Sequence, residues 1–129
     1  MNNSNVKIQK FTDLHAWQEG HKLVLMIYKS TELFPEKERY GLVSQMRRAA
    51  VSLTSNIAEG FSRRSSKEKQ RFYDMGQGSL VELQNQLIIS KDVGYLPMID
   101  FRNIAEQSIT ANKLVNGLLK ATKVRRFNS

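Results

Sequence analysis

A row of apolar residues at helical spacing constrains the fold of this chain more than any other feature. At about 100° per residue, the row occupies one face of a helix. Its members are Leu42, Met46, Ala49, Leu53 and Ile57. A neighbouring stripe is polar and contains Arg48 and Glu59. Because polar groups tolerate partial burial only when they have partners, we expect this helix to lie at a specified interface.

Three further segments carry apolar residues at the same spacing, and none alternates as a strand does. We predict a first helix from after Thr12 to about Leu33 and a second helix over 41–59. Gly60 is then a natural C-terminal cap of the second helix. The pattern indicates an all-α fold, an antiparallel up-down-up-down four-helix bundle.

The last two helices have their own start signals. Ser65 and Glu68 form a capping box that opens the third helix, and Pro97 suits the first turn of the fourth. Along the chain we therefore expect a flexible arm over 1–10, the bundle over 11–124 and a basic tail over 125–129.

A second set of apolar residues is expected on the outside of the bundle. In the first helix we assign the core seam to Leu14, Trp17, His21, Val24 and Tyr28, which leaves other apolar residues opposite it. The set on the first and third helices is Ala16, Leu23, Ile27, Phe34, Val81 and Ile88. These residues are either scattered surface apolars or the interface of a homo-oligomer, and the stripe pattern favours the homo-oligomer.

The formal net charge of +8 is concentrated in two segments. The first segment holds Arg63, Arg64, Lys67, Lys69 and Arg71. The second segment is the C-terminal run, from which we select Lys120, Lys123, Arg125 and Arg126. Clustered cations are typical of a surface that binds a polyanion, although a solvated basic face is the alternative. Cations near a helix N-terminus oppose the helix dipole, so helix stability does not explain the first segment.

The two adjacent arginines of the second helix allow two interpretations. They contact nucleic acid or a partner subunit, or they pair with carboxylates inside the protein. The mid-helix position favours the structural alternative. The expected polar network consists of Arg47, Arg48, Asn56, Glu59 and Glu82.

Composition and motifs argue against catalysis. The chain has no cysteine and two histidines, and neither histidine ends a Glu-x-x-His pair, so we expect no metal site, no cofactor and no enzymatic activity. Gly76 and Gly78 lie in a helical pattern, where they favour close helix contact instead of phosphate binding. Without a signal peptide or a long apolar run, a cytoplasmic protein that makes no membrane contact is expected.

Four stretches of the sequence resemble one family. They are ERYGLVSQMRRAAVSLTSNIAEGFSRRS (Glu38–Ser65), GSLVELQNQL (Gly78–Leu87), KDVGYL (Lys91–Leu96) and DLHAWQEGHKLVLMIYK (Asp13–Lys29). Together they resemble the four-helix bundle proteins encoded in intervening sequences of 23S ribosomal RNA genes. The resemblance covers about Phe11 to Lys123. One departure is Leu53-Thr54, where the family pattern often has an Ile-Pro pair.

The resemblance implies a compact antiparallel bundle that often assembles into a ring, commonly a pentamer, with a nucleic-acid-binding role. It extends to the accessory variability proteins of retroelements, which are basic rings that engage RNA and a reverse transcriptase. We therefore expect a non-enzymatic oligomer that binds RNA, or DNA, without sequence specificity. The contacts are expected to go to the phosphate backbone of the nucleic acid. The alternative is a structural oligomer that acts as a protein–protein adaptor.

Overall fold

The computed structural model describes the backbone of residues 7–128 and the side chains of residues 7–125. Within that part of the chain every long element is a helix and no strand is present. The four helices are α1 (His15–Thr31), α2 (Ser44–Ser62), α3 (Ser66–Asp92) and α4 (Met98–Asn128). Short helical turns precede α1 at Phe11–Asp13 and α2 at Glu36–Glu38 and Arg39–Val43. The predicted all-α four-helix fold is confirmed.

Contacts between neighbouring helices show that consecutive helices run antiparallel. Along α2 and α3, Ser90 contacts Met46 at 3.3 Å, and the Ser52 and Ser79 hydroxyls lie 2.8 Å apart. Residue numbers therefore rise along one helix while they fall along its neighbour.

The same order holds for α3 with α4. Gln77 bonds Asn112 and Gln84 bonds Ser108, each at 3.1 Å. Helix α1 packs on α4 as well as on α2, which closes the bundle around one core.

The core follows the predicted apolar row of α2 and of the later helices. Met46, Ala49, Leu53 and Ile57 are buried. They meet the buried residues of α3 and α4, namely Leu80, Leu83, Leu87, Ile104, Ser108, Ala111 and Val115. The Ser108 hydroxyl is satisfied within its own helix, because it donates to the Ala105 carbonyl at 2.7 Å.

The face assigned to the core of α1 was wrong except at Val24, which is buried. Four residues expected on the outside are buried in the bundle itself, namely Ala16, Leu23, Ile27 and Phe34. Small residues explain this choice of face: a Cβ on Gly20 would lie 3.1 Å from Thr54 Cγ2, so α1 approaches α2 along its small side chains. Trp17 and His21 are only partly buried and stack on each other, with ring centroids 4.7 Å apart.

The remaining two residues of that set are on the surface. Val81 is 56% exposed and Ile88 is 48% exposed on α3. They are seven residues apart, which places them on the same side of the helix two turns apart. Only this pair of the six stays available for an intermolecular contact.

Helix ends also differ from the expectation. Gly60 is not a C-cap, because α2 continues to Ser62 and the only residue with positive φ in 7–128 is Gly94, at 89°. Helix α4 extends through Asn128, past the predicted start of the basic tail. Of the predicted N-terminal arm, residues 1–6 lie outside the described residues.

Candidate nucleic-acid interface

The turn between α2 and α3 places the first basic segment at one end of the bundle. Helix α2 ends at Ser62, and the Ser65 hydroxyl accepts the Glu68 amide at 3.1 Å to start α3. This N-cap is the one predicted from the sequence. Because the link is so short, Arg63 and Arg64 stand beside the first turn of α3.

Helix α4 brings the second basic segment to the same end. A groove of about 290 Å³ lies between the α2–α3 turn, the segment before α1 and the last turns of α4. Lys69 and Arg125 both line this groove, although they are far apart in the sequence. We call this end of the bundle the basic end, and only Lys69 and Arg125 of its cations line the groove. Its cations are Arg63, Arg64, Lys67, Lys69, Arg71, Lys120, Lys123 and Arg125. The side chain of Arg126, also predicted for this surface, lies outside the described residues.

Lys69 has a structural contact within the basic end. Its Nζ donates to the carbonyls of Gly60 at 3.3 Å and Phe61 at 2.7 Å, which caps the C-terminal end of α2. Burial lowers the pKa of the Lys69 ammonium, and the positive charge of Arg125 lowers it further. The Lys69 ammonium therefore stabilises the turn between α2 and α3.

Buried beside Lys69, Tyr73 forms part of the groove wall. Burial raises the pKa of its phenol, and the charge of Arg125 opposes that rise. Tyr73 and Arg125 line the same groove, so the start of α3 and the end of α4 lie close together.

Two arginines of the basic end share one aromatic ring. The guanidinium carbons of Arg63 and Arg71 each lie 4.6 Å from the centroid of Phe72. Arg63 also donates to Glu59 at 3.1 Å, one helical turn away. Lys69 lies over Phe61 at 5.5 Å. The two phenylalanine rings of this end with described side chains, Phe61 and Phe72, therefore contact cations.

Five cations of the basic end have neither a carboxylate partner nor an aromatic contact among the described side chains. Within the described side chains, no ion pair involves Arg64, Lys67, Lys120, Lys123 or Arg125, and all five are exposed. These five side chains leave their N–H donors to solvent or to a ligand.

The predicted polar network on α2 is not formed. Glu59 binds Arg63, the Asn56 amide donates to the Ser52 carbonyl at 2.8 Å, and Glu82 accepts from Gln86 at 3.5 Å. No ion pair in the described part of the chain joins Arg47 or Arg48 to a carboxylate. The two arginines stand near the start of α2 and not at its middle, far from Glu59 near its end, so the prediction that all five residues interact was wrong.

Arg47 contacts α1 instead. Its Nε donates to Thr31 Oγ1 at 3.0 Å and its Nη2 to the Tyr28 carbonyl at 3.3 Å, with the guanidinium 4.6 Å from the Tyr28 ring centroid. Arg48 is exposed and makes no such contact. Only the first arginine of the pair therefore has the structural role expected of both.

A second concave surface was missed by the sequence reasoning. It measures about 620 Å³ and lies against the N-terminal half of α2 and the turn before it. The signal was present in the sequence as the exposed pair Arg39-Tyr40 next to Arg47-Arg48, but helical periodicity alone did not bring them together.

No group of three or more histidine, cysteine or acidic side chains is placed to hold a metal ion in the described part of the chain. None of the helices over the described residues combines the length and the apolar character needed to cross a membrane.

Fold and surface together define a class of protein, an antiparallel four-helix bundle with one strongly cationic end. Within that class, the chain belongs to the family of 23S rRNA-intervening sequence proteins. The family model matches residues 12–117, which include parts of all four helices. The resemblance identified from the sequence motifs is thereby confirmed. No curated protein matches the chain.

Proposed function

We propose that this protein is a non-enzymatic cytoplasmic scaffold whose basic end binds nucleic acid, RNA in preference to DNA, through the phosphate backbone. The observation that carries the proposal is the meeting of two basic segments, distant in sequence, at one end of the bundle. Five of its cations have neither a carboxylate partner nor an aromatic contact in the described part of the chain, so their binding capacity is not already used.

Recognition of the phosphate backbone is favoured over recognition of the bases, because the aromatic rings of the basic end contact cations. Phe61 and Phe72 already contact cations, so a base that stacked on either ring would compete with those contacts. Exposed guanidinium and ammonium groups instead suit phosphate oxygens, which carry no sequence information.

A filter-binding titration of a short single-stranded RNA across about 50–200 mM salt tests this proposal. We expect Arg64→Gln with Lys67→Gln to lower the slope of log K against log salt by about 0.7 for each lost phosphate contact. Arg63 and Lys69 are unsuitable for this test because they hold Glu59 and the end of α2.

The matched control is Lys29→Gln with Arg102→Gln, two exposed cations at the opposite end of the bundle. It removes the same charge and should leave the slope unchanged. If the wild-type protein binds no RNA or DNA at low salt, the proposal fails and the adaptor function replaces it.

We also propose that the protein works as a homo-oligomer, with the pentamer that the family resemblance implies. Val81 and Ile88 support this part, because they expose apolar area on one side of α3. In a closed ring the basic end repeats once per subunit, which multiplies modest phosphate contacts.

A further inference from the structure

A wide cleft in the half of the bundle opposite the basic end is rich in arginine and tyrosine. It lies where α1, the turn before α2 and the first half of α2 meet. We call it the arginine cleft, with lining residues that include Tyr28, Arg39, Tyr40, Arg47, Arg48 and Val51. Tyr40 is 88% exposed, so a large ring stands in solvent at its edge.

The cleft presents guanidinium donors, and no carboxylate lines it. Arg47 uses two of its five N–H donors on α1 and stands over the Tyr28 ring, which fixes the orientation of its guanidinium. Arg48 makes no ion pair, and no lining residue is acidic. Arg39 is held at the edge by Glu36 at 3.3 Å.

We propose that the arginine cleft binds an acidic segment of a partner protein. Carboxylates of the segment pair with Arg47 and Arg48, whose planar groups match a carboxylate in a bidentate manner. An apolar side chain of the segment packs on Val51 and Tyr40. Tyrosine and arginine are the residues that contribute most at protein interfaces, and they make up most of this lining.

The surroundings of the cleft favour a short acidic segment over a nucleic acid. Glu36 lies at one side, and Glu82 lines the adjoining groove that shares Tyr40 and Arg48. A phosphate backbone that continued past the cleft would meet these carboxylates, whereas a discrete pair of side-chain carboxylates would not.

Position makes this site independent of the basic end. At a rise of about 1.5 Å per residue, Arg47 is about 24 Å along α2 from Arg63. If the basic end fails to bind RNA, the proposal for the arginine cleft is therefore unaffected.

Fluorescence anisotropy with a dye-labelled synthetic peptide tests the proposal. The peptide carries glutamates on both sides of a leucine, and the control peptide carries glutamines in their place. We expect the full-length protein to bind the glutamate peptide more tightly. Arg48→Glu should weaken that binding by roughly tenfold or more, because a repulsive charge replaces a paired one.

The control variant is Arg102→Glu, an exposed arginine of α4 outside the cleft with the same change of charge. It should change the affinity by less than about twofold if the cleft is the site. Tyr40→Ala, which removes an exposed ring without changing charge, should also weaken binding.

Three results would overturn the assignment. The first is equal binding of the two peptides, and the second is equal loss in the Arg48 and Arg102 variants. The third is an Arg48→Glu protein that dissociates a wild-type oligomer in sedimentation, because a second copy of the chain would then occupy the cleft.

Discussion

At the scale of single residues, Gly60 shows how a tertiary contact overrides a local signal. It continues the buried row of α2 after Leu53 and Ile57, and a Cβ there would lie 2.5 Å from Cε1 of Tyr73. Tyr73 is buried against the same helix, so its ring has little room to move. Glycine is needed here for close approach of α2 and α3.

Gly60→Ala is expected to destabilise the protein. Overpacking costs about 1–3 kcal/mol, which exceeds the gain in helix propensity of about 1 kcal/mol, so we expect a net loss of roughly 1 kcal/mol. Urea denaturation followed by circular dichroism measures it. Gly117→Ala is the matched control, because a Cβ there meets nothing within 4 Å and should be stabilising. Equal effects of the two substitutions would contradict the packing role of Gly60.

At the scale of the helices, the sequence predicted α2 well because its apolar row is unbroken and has one possible face. The same reasoning failed on α1, which has apolar residues on two faces. We assigned the aromatic face to the core, whereas Ala16 and Gly20 allow the other face to pack more closely. Apolar periodicity shows that a helix has a face to bury. Where a helix has two such faces, the volume of the side chains decides which one packs in the core.

The connection of α1 to α2 gives a second prediction at this scale. Arg47 bonds Thr31 and the Tyr28 carbonyl, whereas its neighbour Arg48 bonds nothing in the described part of the chain. Arg47→Ala should therefore lower the free energy of unfolding by about 1–2 kcal/mol, since hydrogen bonds from a charged donor are lost.

Arg48→Ala serves as the control in the same urea titrations. It removes the same side chain from a solvent-exposed position and should change the free energy of unfolding by less than about 0.5 kcal/mol. Two equal values would show that the contacts of Arg47 with α1 add no stability.

At the scale of the whole molecule, the bundle is polarised. The end formed by the α2–α3 turn and the last turns of α4 carries the two basic segments, while the opposite end, which holds the arginine cleft, exposes several apolar residues. These are Leu33, Tyr40, Val93, Met98 and Ile99. The two basic segments were predicted separately, and an antiparallel four-helix order necessarily places them at one end. The capping role of Lys69 and the sharing of Phe72 depend on side-chain contacts that no spacing rule contains.

Assembly and RNA binding are coupled in the proposed function, and that coupling can be measured. Val81→Glu with Ile88→Glu puts charge on the exposed pair of α3 without touching the basic end. If the oligomer multiplies the phosphate contacts, this variant should sediment as a smaller species and bind a long RNA about 10²-fold more weakly or worse. Leu25→Glu with Ile109→Glu adds the same charges at exposed positions on α1 and α4, and should leave both properties unchanged. Wild-type protein that sediments as a monomer at micromolar concentration would refute the oligomer. An equal loss of RNA affinity in both variants would show that added negative charge alone, and no avidity, governs the binding.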